Sequence, residues 1–594
     1  MDDTAHIAKA LGTLPRWDLT DLYDGPEAPA LRADIEATTA DAKALNAAHA
    51  GMVEAMDGAE LAALVTEYER IGEVVGRIMS FAYLYYCTAL EDPETGRFFQ
   101  IMQEKTTDIS SDLLFVTLEI NRLEEAELAA RLETASLAHY QPWLRDVRAY
   151  RAYQLSDELE KMLNDKQLTS SAWVRLFDET VARMRFPLRG KEMTSAEVLN
   201  LLSDTDPALR KEAAHAVGKG FGDNIQTFAL ITNTLAKDKE IEDRWRGFEQ
   251  PISARNVSNR VEDNVVAALT GAVKSAYPSL SHRYYSLKAR WFGDDVMDYW
   301  DRNAPLPDDD DTSIKWEDAV STVLGAYRDF SPTLADIGQR FFDNAWIDAP
   351  VAAGKAPGAF AHPTVPSAHP YLLLNYQGKT RDVMTLAHEL GHGVHQVLAA
   401  EQGPLMSDTP LTLAETASVF GEQLTFQALI EGADKKRRRV MLASKVEDML
   451  NTVVRQVAFC EFERAVHDER RNGELTADKL GELWLEVQTD SLGPAIRFDD
   501  TYRNFWAYIP HFIHSPFYVY AYAFGDCLVN ALYAAYQDAP TGFEARYLEM
   551  LRAGGTLQHR ELLAPFGLDA SDPGFWAKGL GIIEGFLDEL ETTS

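Results

Sequence analysis

In TLAHELGHGVH, residues 385–395, two histidines stand four apart with a glutamate directly after the first. On a helix, residues four apart project from one face, so His388 and His392 can each offer an imidazole nitrogen to one ion at about 2.0–2.1 Å. Glu389 is one residue round, within reach of a water on that ion without being a ligand. The plain alternative is a core face of Leu386, Leu390 and Val397, with the histidines turned to polar neighbours. His-Glu-x-x-His on an evident helix is rare by chance, which favours the metal.

A catalytic zinc takes three protein ligands and keeps one position open. A metzincin would need glycine at 395 and histidine at 398, where this chain has His395 and Leu398. The third ligand is then expected from a following helix. PLTLAETASVFGEQLTFQALI, residues 410–430, reads as that helix, with Glu415 lying 23 residues beyond His392 and Glu422 two turns along the same face. Glu401 and Asp408 fall in the connection, where a ligand is held less rigidly. One of the two helical glutamates is expected to be a ligand and the other its support.

These parts describe amide hydrolysis by a zinc-bound water whose proton Glu389 takes, with the scissile carbonyl polarised by the ion. The oxyanion needs donors, and FWAYIPHFIHSPFYVYAYAFGD, residues 505–526, concentrates them: Tyr508, His511, His514, Tyr518, Tyr520 and Tyr522. As a buried aromatic helix, this stretch would have to find partners for every hydroxyl and imidazole. A wet face against substrate is more economical.

The elements that must position these residues are mostly helical. Leu61, Leu64, Val65, Tyr68, Ile71, Val75, Ile78 and Ala82 recur at three and four residues, and LEEAELAARLETASLAHYQPWLRDVRAYRAY and SKVEDMLNTVVRQVAFCEFERAVHDERRNG repeat the pattern. HPYLLLNYQG, residues 369–378, has the apolar run and turn flanks of a strand. A small sheet is therefore expected just before the histidine helix, its strand pairing at an edge with an extended peptide. GKT at 378–380 is no phosphate loop, because Leu373 stands where that motif needs glycine. Thr380 reads as the N-cap of a helix running to about Ala400, with Asp382 in its first turn. RFPLRGKEMTS, residues 185–195, interrupts the helices with Pro, Gly and basic residues, and NAPLPDDDDTS, residues 303–313, reads as an exposed acidic loop. An N-terminal helical domain over 1–195 and a catalytic domain over 196–594 are expected.

Length and charge bound the rest. A chain of 594 residues exceeds one hydrophobic core, and its net charge of −35 excludes nucleic acid and an anionic membrane surface as partners. Cys87, Cys460 and Cys527 form no CxxC pair, and the N-terminus lacks both a basic and an apolar leader region. The longest apolar stretch, Ile78 to Leu90, is too short for a bilayer. A cytoplasmic protein is expected.

HELGHGVH, LAETASVFGE, HPYLLLNYQGKTRDVMTLAHE and IPHFIHSPFYVYAYAFG together resemble the oligoendopeptidase F branch of the thimet oligopeptidase family of zinc metallopeptidases, and RWDLTDLYDG resembles how those chains begin. The resemblance implies a mainly α, two-lobed fold with a deep central channel and a small β-sheet beside the active-site helix. It also implies one Zn2+ per chain and cleavage of short unfolded peptides. Position by position, it implies His388, His392 and Glu415 as ligands, Glu389 as general base and Glu422 as a supporting acid. His511 with Tyr518 or Tyr520 would bind substrate. Carboxy-dipeptidase action and an inactive helical peptide-binding protein stand as alternatives, and the oligomeric state is open.

Overall fold

The computed structural model describes residues 11–306 and 313–593. The acidic stretch at 307–312 and the first ten residues of the N-terminus lie outside the described residues. The chain is mainly α, as expected, and folds as two compact units, each assembled from three separate segments. Unit 1 comprises 1–151, 311–432 and 535–567; unit 2 comprises 152–310, 433–534 and 568–594.

Unit 1 begins with three long helices, Pro29–His49, Gly58–Cys87 and Pro93–Arg122. Asp57 starts the second of these by accepting from the amides of Ala59 and Glu60 while Glu60 returns a bond to the Asp57 amide, a reciprocal cap. Of its expected apolar stripe, Leu61, Leu64, Val65 and Ile71 pack in one cluster with Ile109, Leu113, Val116 and Ile120 of the third helix, Tyr68 and Val75 pack against it partly buried, and Ile78 and Ala82 are buried as well. The periodic stretch at 123–153 breaks into short helices, Glu125–Arg131, Ala135–Ala138 and Gln141–Arg148.

Seven strands are described, β1 (Phe186–Leu188), β2 (Lys191–Met193), β3 (Met297–Asp298), β4 (Ile347–Pro350), β5 (Phe360–His362), β6 (Tyr371–Tyr376) and β7 (Ile496–Arg497). In unit 1 the order is β4-β6-β5, with β6 parallel to β4 and antiparallel to β5. The sheet precedes and packs on the histidine helix. HPYLLLNYQ is therefore not an edge: β6 is central, pairing with β4 on one side and, over Tyr371–Leu373, with β5 on the other. Lys355 bolts this sheet from inside, its buried ammonium donating to the carbonyls of Pro350 and Leu374 and to the Asp348 carboxylate.

Unit 2 is built on helices Pro207–Asp223, Ile225–Arg246, Lys435–Thr452, Val454–Arg470, Ala477–Leu492 and Pro573–Thr593. β1 and β2 form a hairpin there, and β3 pairs with β7. The division at residue 195 does not follow the compact units, since 152–195 pack in unit 2 and the histidine helix packs with the N-terminal segment in unit 1. The Pro and Gly that signalled a boundary belong to a hairpin instead, Pro187 within β1 opposite Glu192 and Gly190 in the β1–β2 turn. Arg189 and Gly190 both take positive φ, +47° and +78°, as a tight two-residue hairpin requires.

Candidate active site

The histidine helix spans Thr380–Ala399. Thr380 is its first residue rather than its cap. Lys379 at the cap position offers no side-chain acceptor, so Asp382 reaches back and takes the amides of Gln377 and Lys379, both at 2.9 Å. Val383, Leu386, Ala387, Leu390, Val394 and Leu398 are buried, which turns His388 and His392 together toward residues 411–431.

That segment is two helices, Leu411–Ala414 and Ser418–Glu431, where the sequence pattern read one. Glu415 to Ala417 form the turn between them. Local side-chain bonds favour the break: the Thr416 hydroxyl donates to the Leu413 carbonyl at 2.6 Å and the Ser418 hydroxyl to Oε2 of Glu415 at 2.6 Å. Two glycines let the turn come close. A Cβ on Gly391 would stand 2.5 Å from the Ala417 carbonyl oxygen, and one on Gly421 would strike the Tyr327 hydroxyl, which donates to the Ala387 carbonyl.

The result is a compact triangle. Nε2 of His388 and Nε2 of His392 are 3.1 Å apart, and Oε2 of Glu415 lies 3.5 and 3.4 Å from them. A tetrahedral ion with bonds of 2.0–2.2 Å separates its ligand atoms by about 3.3–3.5 Å, so these three atoms outline one face of such a polyhedron. Among the described residues this is the cluster able to hold a metal ion. Nδ1 of His388 donates to Oε1 of Glu422 at 2.6 Å, and His392 bonds the Ala414 carbonyl, which leaves both Nε2 atoms directed at Glu415. Glu415 thus stands as the candidate ligand and Glu422 as the residue that orients His388. His395 is buried beside Thr409 and outside the triangle.

The electrostatics reflect acids crowded around the two histidines. Burial opposes charge on His388, but the hydrogen bond and charge of Glu422, with Glu415 and Glu389, raise it to about 9. Burial lowers His392. The two Nε2 atoms face each other across the point where a cation would sit. Glu389 is 6% exposed. Burial pushes its carboxyl up to about 7, the nearby glutamates add to this, and His388 and a hydrogen bond from the Ala361 amide of β5 oppose it.

The chain was compared with known proteins. Residues 200–582 match the model of peptidase family M3, and residues 119–186 match that of oligopeptidase F. The chain belongs to peptidase family M3. Oligopeptidase PepF of Bacillus subtilis is 26% identical over 89% of this chain and 80% of its own. Group B oligopeptidase PepB of Streptococcus agalactiae is 26% identical over 99% and 98%. The fold is that of oligoendopeptidase-F from Enterococcus faecium, with TM-score 0.72 and 20% identity over 93% of this chain and 97% of that one. A solved chain from Chlamydophila abortus matches with TM-score 0.87 and 23% identity over 98% of both. As an M3 peptidase this chain is a metalloendopeptidase acting on peptides, and the family implies a metal that the His-His-Glu group fits.

The remaining expected site residues lie in unit 2 of the M3 peptidase. His511 and Tyr518 stack at 6.0 Å, Nε2 of His511 is 3.3 Å from the Tyr522 hydroxyl, and the two tyrosine rings meet at 5.2 Å. All three are half-buried. Tyr520 does not join them. It is fully buried, and its hydroxyl accepts from Asn259 at 2.9 Å. Tyr522 stands with His511 and Tyr518 instead, although Tyr518 precedes the helix Tyr520–Asp538, so that a four-residue spacing gave the two no common helix face. Ser418 and Gly391 were also missed, because what they do depends on a turn the helical pattern did not show. Among the described residues no helix is long and apolar enough to cross a membrane.

Proposed function

We propose that this M3 peptidase is a cytoplasmic zinc oligoendopeptidase that cuts short unfolded peptides. The observation that carries it is the triangle of His388, His392 and Glu415, with the Glu389 carboxylate beside it and pinned by the Ala361 amide. The curated relatives named as oligopeptidases support the substrate class.

His388, His392 and Glu415 would hold one zinc. Bound there, the ion supplies Lewis acidity toward water and the scissile carbonyl. Glu422 fixes the His388 ring so that Nε2 faces inward, and Ser418 fixes Oε2 of Glu415. Glu389 takes a proton from the attacking water and returns it to the departing amine. His511, Tyr518 and Tyr522 are assigned to the peptide, as donors to its carbonyl oxygens.

Product mapping tests the class of cut. A ladder of unblocked peptides should give internal fragments, in a reaction that stops with a chelator and returns with zinc. Release of C-terminal dipeptides alone would make it a carboxy-dipeptidase, and binding without products would make it an inactive peptide receptor.

A further inference from the structure

One peptide unit in unit 2 is gripped at both of its polar ends by side chains. The carbonyl of Pro516 accepts from Nε of Arg255 at 3.2 Å, and the amide of the next residue, Phe517, donates to Oε1 of Glu463 at 2.8 Å. Phe517 has φ +59°, a left-handed conformation that a bulky residue holds only where its surroundings over-determine it. Its ring is fully buried against His467, with centroids 5.0 Å apart. Arg255 belongs to the helix Ser253–Ser258, and Asn259, four residues on, bonds the Tyr520 hydroxyl. One helix face therefore anchors both ends of residues 516–520. Between the anchors stands Tyr518, with the Arg255 guanidinium 6.0 Å from its ring centroid and His511 and Tyr522 beside it.

Glu463 is an expensive way to satisfy one amide. It is 3% exposed, its Oε2 has no partner, and burial pushes its carboxyl up to about 8 against the pull of the Phe517 amide and Arg255. A buried carboxyl with one oxygen unpartnered carries a desolvation cost that the bond to the Phe517 amide offsets only in part.

We propose that Glu463 and Arg255 are positioning residues for peptide hydrolysis: by fixing the plane of the Pro516–Phe517 peptide they set the direction of the Tyr518 hydroxyl. This rests on the assignment of Tyr518 to substrate. The test is steady-state kinetics on the zinc-loaded full chain with an internally quenched peptide, alongside melting temperature and metal content. Glu463→Ala should lower kcat by about 10²-fold, the scale of a misplaced group, with KM and zinc content little changed. Glu463→Gln keeps an acceptor at Oε1 and should restore most of kcat. Adding Tyr518→Phe to Glu463→Ala should cost little more, because the hydroxyl is already misdirected. If Glu463→Ala does not fold, Arg255→Ala carries the same expectation from the other side of the peptide. Full activity in these variants, failure of Gln to rescue, or additive losses with Tyr518→Phe would overturn the positioning role while leaving Tyr518 in place. An unchanged kcat in Tyr518→Phe alone would overturn the Tyr518 assignment and the positioning role with it.

Discussion

Ser418 is a small residue with two tasks, since its hydroxyl serves both the backbone carbonyl and the carboxylate of Glu415. Ser418→Ala frees that carboxylate to rotate, so zinc affinity should fall about 10- to 100-fold, measured by competition with a chelator of known affinity. Glu389→Gln is a different kind of change. It keeps volume but removes the base, so turnover should fall by several powers of ten, or about 10²- to 10⁴-fold for the proton transfer alone, with zinc still bound. The tyrosines divide in the same way. Tyr520→Phe deletes a buried bond to Asn259 and should cost about 1 kcal/mol of stability with kcat intact, whereas Tyr522→Phe should lower kcat and leave the melting temperature unchanged. The ligand histidines were legible because a four-residue spacing fixes a face whatever surrounds the helix. The grouping of Tyr518, Tyr520 and Tyr522 was not legible, because an alternating Y-x-Y-x-Y run names no face until the start of its helix is known, and the helix starts at Tyr520.

Glu415 shows where an element escapes its own pattern. Residues 410–430 carry helical spacing throughout, yet hydroxyl bonds at Thr416 and Ser418 compete with the helix and open a turn at the position that must face the histidines. The turn fits because Gly391 has no side chain. Gly391→Ala places a methyl group 2.5 Å from the Ala417 carbonyl oxygen, so the turn must retreat. A lower melting temperature together with weakened zinc binding is expected, of the order of 1–3 kcal/mol in stability for a forced overpacking. Another element-level test concerns β5, where His362 bonds the Ser80 hydroxyl of the Gly58–Cys87 helix. Burial lowers His362 to about 4 and His467 to about 3, both from an ordinary 6.5. The unfolded chain therefore binds more protons than the folded one below about pH 6.5, so their contribution is complete above that pH and is lost as pH falls toward 4. The difference in melting temperature between the chelator-treated protein and its His362→Phe variant should be constant above about pH 7 and shift in favour of the variant as pH falls toward 4, since the groups whose protonation is favoured by folding, His388, Glu389 and Glu463, titrate alike in both.

At the scale of the molecule, mainly helical content, a sheet before the histidine helix and metallopeptidase chemistry were all readable in order along the chain. The grouping into units was not. Pro and Gly mark sharp turns, and nothing local distinguishes a hairpin such as β1–β2 from a domain boundary. Units assembled from three segments each depend on contacts between residues hundreds of positions apart. The oligopeptidase relatives set the expectation for substrates: mixed-sequence short peptides should be cut and a stable globular protein left intact under the same conditions, as gel electrophoresis and mass spectrometry would show. The most direct test of the central claim is elemental analysis of three purified chains, the unaltered protein, Glu389→Gln and Glu415→Ala. One zinc per chain in the first two and none in the third is the expected result. Stoichiometric zinc in Glu415→Ala, or an unaltered protein that carries no metal and stays fully active in chelator, would contradict it.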